Sequence, residues 1–386
     1  MLDNLRKTIA DIPNQRKKTF DVGIFIIVCC LCIFGIIMIW SSSMYNAKLS
    51  GDEFAYVKKQ LLYFAVGLML MLFFSVLNTS YLKAYSNFFM AFALLLLFIV
   101  MLKPADESVK GAVRSIELAG IVIQPAEFTK ISVLFFMAYQ IERRTKEINS
   151  FKIFCLTCLY IAVTAYIIYQ QPALSTAIII AVTIIGMYFI AGGNFLYICI
   201  VGGMAIAAVY IFITQNPWRM ERIMAFKDPF ADLQDSGWQP AQSLMALGSG
   251  GIFGQGIGNG RAKLGFLPEL QNDYIFSVIG EELGLVGCVA LIIVYFILIS
   301  KILKLAFKAP GVFEKMFCGG AAILLAVQVF LNIGVVTNLL PSTGIILPFI
   351  SSGGSSLFTF MIIIGVVLNI SRNIKTPRVG RRERNR

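Results

Sequence analysis

Three groups of charged and small polar residues stand out in the 386-residue sequence because the runs around them are apolar. The first is Lys110-Gly-Ala-Val-Arg114, followed by Gln124-Pro-Ala-Glu-Phe-Thr-Lys130. Pro125 suits a first helical turn, where its missing N–H costs nothing. Glu127 and Lys130 are three apart and so share a helix face. They read either as an internal ion pair joining two spans or, with Arg114, as a cationic rim for a phosphate group. Arginine grips phosphate by its forked geometry and lysine as a point charge.

The second group runs through Arg219, Arg222, Lys227 and Gln242-Ser243 into the glycines Gly248 to Gly260, then Lys263, Glu269 and Asp273. No strand precedes these glycines in a βαβ unit, so a dinucleotide fingerprint is rejected. They read as a turn whose backbone approaches another backbone or a headgroup. Asp273 stands where a polar loop enters an apolar run. Partial desolvation there suits a general base, and the competing reading is a helix N-cap. Glu281 and Glu282 lie about two turns deeper. Two adjacent acids cannot both face lipid, so at least one is expected to pair with a base from another span.

The third group is Asn338-Leu-Leu-Pro-Ser-Thr-Gly344 with Leu347-Pro-Phe-Ile-Ser-Ser-Gly-Gly-Ser-Ser356, which includes Ser351, Ser352, Gly353 and Ser355. Hydroxyls and free backbone N–H groups suit a sugar or phosphate. The alternative is a tightly packed broken helix. The sequence contains no histidine, which excludes His-ligated zinc, Ser-His-Asp triads and a histidine base. The eight cysteines lie in or beside apolar runs. Cys155-x-x-Cys158 reads as apolar filler, since no second pair follows it.

The elements that must position these residues are membrane helices. Apolar residues make up 58% and charged residues 14%, with a mean hydropathy of +0.79. A soluble domain carries about 45–50% and about 25%. Runs near 22–42, 60–77, 84–103, 126–141, 153–169, 173–191, 195–214, 274–300, 316–337 and 355–371 predict an all-α polytopic protein of about ten transmembrane helices. Residues 22–371 form one membrane domain, with an uncleaved first span and a long loop, 215–273, between spans 7 and 8. Tails flank it at 1–21 and 372–386.

Orientation follows from lysine and arginine counts. With the N-terminus cytoplasmic, the tails and the segments 78–83, 142–152 and 301–315 hold 21 of the 33 basic residues and seven acids, a net +14, against −2 for the rest. Both termini are therefore expected in the cytoplasm, with the basic tail against anionic headgroups. The loops 104–125, 215–273 and 338–354 then face outward. Basic residues confined to short stretches between apolar runs argue against nucleic-acid binding.

Together the three groups resemble the SEDS (FtsW/RodA/SpoVE-type) family of peptidoglycan glycosyltransferases, over about residues 20 to 372. The motifs are Lys110-Gly-Ala-x-Arg114, Ile123-Gln-Pro-Ala-Glu127 with Lys130, Gln242-Ser-Leu with Gly248-Ser-Gly-Gly251, and Leu267-Pro-Glu269 with Asp273. Gly280-Glu-Glu-Leu-Gly284, Pro341-x-Thr-Gly344 and Leu347-Pro-Phe-x-Ser-x-Gly-Gly-Ser-Ser356 complete the set. Ile123 to Glu127 and Phe226-Lys-Asp-Pro-Phe230 are closer to the division and sporulation branch. Departures are Gln271 and Asn272 in place of a frequent His and Thr, Ser115 for Trp, Asn338 for Gly and Ile346 for Pro.

The resemblance implies a SEDS-type fold that polymerises lipid II into β-1,4 glycan strands on the outer face of the bacterial cytoplasmic membrane. Its expected partners are lipid II, the nascent glycan strand, a class B penicillin-binding transpeptidase and other divisome proteins. Asp273 matches the family's essential outer acid. The substrate-binding set is Arg114, Lys130, Glu127, Gln124, Gln242, Ser243, Lys263, Glu269, Ser351, Ser352, Gly353 and Ser355. Lys110, Arg219, Arg222, Glu281 and Glu282 are supporting charges. No organic cofactor is expected, and a divalent cation (Mg or Mn) is compatible with diphosphate chemistry. The rival functions are a lipid II flippase or transporter, whose intramembrane charges and broken helices would look similar, and a non-catalytic transpeptidase scaffold. A small-solute channel is disfavoured, because the polar residues gather on one side.

Overall fold

The computed structural model describes residues 20–49, 51–52, 54–102, 115–118, 121–171, 173–215, 217–231, 233, 237–263 and 270–374. Lys110, Arg114 and Glu269 lie outside the described residues, as do the N-terminal tail to residue 19 and the C-terminal tail from residue 375.

A helix occupies each of the ten apolar runs. They are α1 (Val22–Leu49), α2 (Ala55–Val76), α4 (Ser86–Met101), α5 (Pro125–Arg143), α6 (Phe151–Tyr169), α7 (Leu174–Ile190), α8 (Phe195–Thr214), α11 (Ile275–Lys308), α12 (Val312–Val336) and α13 (Gly354–Asn373). Among the described residues six of these, α1, α2, α6, α11, α12 and α13, are long and apolar enough to cross a membrane. The α4, α7 and α8 helices provide shorter apolar stretches. The tenth, α5, carries Glu127 and Lys130 and begins with Pro125 at its first turn, as its sequence predicts. Three short helices complete the set: α3 (Thr79–Ala84), α9 (Pro217–Lys227) and α10 (Trp238–Gly250). The α3 helix starts where the Asn78 side chain accepts the Ser80 N–H at 2.9 Å.

Two expectations are refined. The stretch read as a loop at 104–125 contains a hairpin, β1 (Ile116–Leu118) paired antiparallel with β2 (Ile121–Ile123). The stretch read as a long loop at 215–273 contains α9 and α10, and α10 packs along α11. Apolar periodicity does not reveal these elements, because they are short and α9 carries Arg219, Glu221 and Arg222.

The interior is built around α12 and α13, which bury 67% and 83% of their most apolar windows, against 28% for α2, α6 and α11. Lipid tails are as apolar as leucine, so helices associate here through close packing and hydrogen bonds. Gly365 of α13 lies on the backbone of α2, where an added Cβ would stand 2.5 Å from the Met71 carbonyl oxygen. Nearby, the Asn369 amide of α13 donates to the carbonyls of Phe74 (3.1 Å) and Leu77 at the end of α2.

Charged residues cap one end of the bundle. Lys83 pairs with Glu142 at 3.0 Å and Glu314 at 3.3 Å, and Lys301 pairs with Asp21 at 3.4 Å. The Asp21 N–H donates to the Ser371 hydroxyl at 2.9 Å. These contacts bring together the segments that the basic-residue count assigns to a common side.

The α10–α11 and α2–α13 crossings predict a contrast among glycines. At Gly250 an added Cβ would overlap the Gly280 carbonyl oxygen, whereas at Gly248 it meets nothing within 4 Å. Gly250→Ala and Gly365→Ala should each destabilise by about 1–3 kcal/mol, the usual cost of overpacking. Gly248→Ala should be neutral or slightly stabilising. Melting temperatures of the solubilised protein distinguish these outcomes.

Candidate active site

Asp273 lies in the turn that leads into α11. The N-cap of α11 is Tyr274, with no side-chain cap bond, and Asp273 precedes it half-buried. A Cβ at Gly344 would stand 3.3 Å from the Asp273 carboxylate oxygen, so the absent side chain leaves room beside the carboxylate.

The facing wall is the irregular segment 338–354, whose polar backbone is satisfied from several elements. The Asn332 amide of α12 donates to the Asp273 carbonyl at 2.9 Å and the Ile345 carbonyl at 2.6 Å. One turn earlier on α12, Gln328 donates to the Ile346 carbonyl at 3.1 Å. The Tyr295 hydroxyl of α11 donates to the Pro348 carbonyl, and the Ser352 N–H donates to the Gln271 carbonyl at 2.8 Å. Ser351 folds back to accept the Leu347 N–H at 2.8 Å. From α9, the exposed Arg222 guanidinium donates to the Ser342 carbonyl at 3.2 Å. The Asp273 carboxylate beside Gly344 and the Arg222 guanidinium on Ser342 thus meet the same irregular segment.

Lys130 and Glu127 sit one step behind this wall. The Lys130 ammonium bonds Glu127 Oε1 at 2.6 Å and Gln328 Oε1 at 2.8 Å. Lysine, glutamate and glutamine are all buried, and Glu127 Oε2 is left without a hydrogen-bond partner. This geometry is the internal ion pair, extended through Gln328 to Ile346. Gln328 and Asn332, whose amides hold this wall, are residues that the sequence reading missed. Their signal is two amides four apart in an apolar run, hence on one helix face and costly in lipid.

The other expected residues fall in three places. Ser355 accepts the Gln124 N–H at 3.0 Å and donates to the Val122 carbonyl at 2.9 Å, tying the hairpin and α5 to the start of α13. Gly353 is the N-cap of α13. On α10, buried Ser243 donates to the Val336 carbonyl at 2.8 Å, and Gln242 is half-buried beside it. Arg219 lies on α9.

Glu281 and Glu282 form a separate buried cluster deeper along α11. Glu282 accepts from Ser41 of α1 at 2.6 Å and pairs with Lys263 at 3.2 Å. Glu281 accepts the backbone N–H groups of Arg261 at 2.7 Å and Ala262 at 3.2 Å. The base expected from another span comes instead from the glycine-rich turn. That turn approaches backbone, as expected. Among the described residues no group of three or more His, Cys, Asp and Glu side chains is placed to hold a metal ion. Among the described residues the cysteines are all free thiols.

Fold and site together define a polytopic helical membrane protein with a half-buried carboxylate at one rim, opposite the end where the basic segments gather. The sequence model described as "Cell cycle protein" (FtsW/RodA/SpoVE) matches residues 22–376, and the chain belongs to this family. It is 35% identical to the probable peptidoglycan glycosyltransferase FtsW of Trichlorobacter lovleyi, covering 99% of both chains. It is also 35% identical to the stage V sporulation protein E of Bacillus subtilis, covering 93% of this chain and 99% of that protein. Among solved structures it resembles a chain of a peptidoglycan synthase complex, with TM-score 0.75 and 25% identity over 92% of this chain and 98% of that one. The Thermus thermophilus rod shape determining protein RodA superposes with TM-score 0.69 and 25% identity over 94% of this chain and 100% of that chain.

Removing one member of the buried pair strands the other. Lys130→Met should cost about 3–5 kcal/mol, seen as a lower melting temperature or lost folded yield. The double variant Glu127→Gln, Lys130→Met should recover much of that loss. Equal stability of Lys130→Met and wild type would return Lys130 to the substrate-contacting set.

Proposed function

We propose that this chain is a peptidoglycan glycosyltransferase that polymerises lipid II at the outer face of the bacterial cytoplasmic membrane. The observation that carries the proposal is the Asp273 carboxylate, half-buried beside a glycine and sharing its rim with the Arg222 guanidinium. Relatives named as peptidoglycan glycosyltransferases over the full length support the reaction class. The concentration of basic residues at the opposite end supports the orientation, with both termini cytoplasmic and ten spans.

The acceptor presents its GlcNAc 4-hydroxyl to Asp273. As the carboxylate takes the proton, the oxygen attacks the anomeric carbon of the donor MurNAc. The bond from that carbon to the diphosphate oxygen breaks, and undecaprenyl diphosphate departs with the electron pair. An α-linked donor gives a β-1,4 bond by inversion. Negative charge grows on the departing diphosphate, and fixed cations at the rim stabilise it. Arg222 lies there, and Arg114, Lys110 and Arg219 belong to the same outward-facing stretches of sequence. Lys130 acts from behind the wall, through Gln328, on the conformation of 338–354. A Mg or Mn ion enters this reading only as a companion of the diphosphate. The chain's likeness to a member of a peptidoglycan synthase complex supports a class B transpeptidase as partner, and the family description supports a role in division or sporulation.

Purified protein with its transpeptidase and labelled lipid II tests the reading. Asp273→Asn should fold and bind the partner normally, yet lose polymerisation by roughly 100-fold or more, the usual scale for a general base. Near wild-type polymer from Asp273→Asn rejects the assignment. Movement of lipid II across sealed vesicles without polymer would favour the flippase. Arg222→Ala should raise the KM for lipid II severalfold while leaving melting unchanged.

A further inference from the structure

The α11 helix breaks at Gly284, whose backbone sits at φ 69°, ψ −167°. In an intact helix Leu285 N–H would bond the Glu281 carbonyl and Val286 N–H the Glu282 carbonyl. The break frees those four groups at membrane depth, where each must find a partner inside the protein. The glycine-rich turn supplies all four. Leu285 and Val286 donate to the carbonyls of Gly251 (3.0 Å) and Ile252 (3.1 Å). The Glu281 and Glu282 carbonyls accept from Gln255 and Gly256, both at 3.0 Å. Glycine is required on both sides, because a Cβ at Gly254 would overlap the Glu282 carbonyl and one at Gly284 the Gly254 N–H.

The side chains of the same two glutamates fasten the turn a second time. Glu281 holds the Arg261 and Ala262 amides, and Glu282 holds Lys263 from the turn and Ser41 from α1. The Lys263 ammonium also donates to the Gly258 carbonyl. All of these side chains are buried, and none has a step in the mechanism above.

We infer that Glu281, Glu282, Lys263 and Ser41 are positioning residues: a latch that seats the 251–263 turn in the bend of α11 and so fixes the short arm that carries Asp273. Asp273 stands 11 residues before the bend, a lever of about 16 Å at the helical rise. A swing of roughly 10° about the bend would carry the carboxylate about 3 Å, when a 1 Å misplacement already costs about 100-fold in rate. The latch is needed because a helix with two successive ladder bonds removed is weakened at that point. The inference rests on the glycosyltransferase reading and assigns to that site the residues that hold its base in place.

The test uses full-length protein with its transpeptidase, wild type against Ser41→Ala, Lys263→Met and Lys263→Arg. Polymerisation of labelled lipid II gives kcat and KM, and hydrogen–deuterium exchange follows the 251–263 turn, α2 and α13. Lys263→Met should lower kcat tenfold or more with KM within about twofold, and should speed exchange in 251–263 while α2 and α13 are unchanged. Ser41→Ala should do the same to a smaller degree, and Lys263→Arg should recover most of the kcat. A raised KM with kcat preserved would overturn the latch and make Lys263 a substrate contact. A loosened turn with kcat unchanged, or faster exchange throughout the molecule, would equally overturn it. Wild-type protein that makes no polymer would defeat the glycosyltransferase reading, and exchange in the turn separates that failure from failure of the latch.

Discussion

Every backbone polar group that leaves a helical ladder inside a membrane must find a partner within the protein. The site depends on this constraint. Segment 338–354 is irregular, yet Ser342, Ile345, Ile346 and Pro348 have their carbonyls met by Arg222, Asn332, Gln328 and Tyr295. Those four donors come from α9, α12 and α11. A non-helical wall can therefore stand beside Asp273 without unsatisfied carbonyls at these positions, and the donors hold it in one conformation.

Buried charge follows the same logic with larger energies. Glu127 with Lys130, and Glu282 with Lys263, are each enclosed and each have a further hydrogen bond with a neutral partner, Gln328 and Ser41 respectively. Such pairs add little net stability compared with apolar replacements, but losing one partner is expensive. One pair links α5 to α12 and the wall behind it. The other links α1, the glycine turn and α11. The rim charges Asp273 and Arg222 remain more accessible, which suits groups that must meet a substrate.

Much of this was legible in the residues. The ten apolar runs each became a helix, and six of these are long and apolar enough by themselves to cross a membrane. Pro125 marked the start of α5, and the three-residue spacing of Glu127 and Lys130 gave their ion pair. Asp273 stood where polar sequence meets apolar sequence, and it lies at the rim. The hairpin at Ile116–Ile123 and the helices α9 and α10 were not legible, being too short and too polar to show a periodic face. Gln328 and Asn332 passed unnoticed among the apolar residues of α12.

The sequence by itself determined the class of the protein and singled out Asp273 as the candidate acid. Both are written in local chemistry: the cost of charge in lipid and the positions where charge is nevertheless kept. Only the tertiary structure shows which charges are enclosed with partners and which stand at the rim. Lys263 looks as suitable for a diphosphate as any arginine, until Glu282 is found beside it in the interior. That choice depends on what packs against each side chain from segments up to 241 residues away along the chain, as with Ser41 and Glu282. Local sequence carries no record of such contacts.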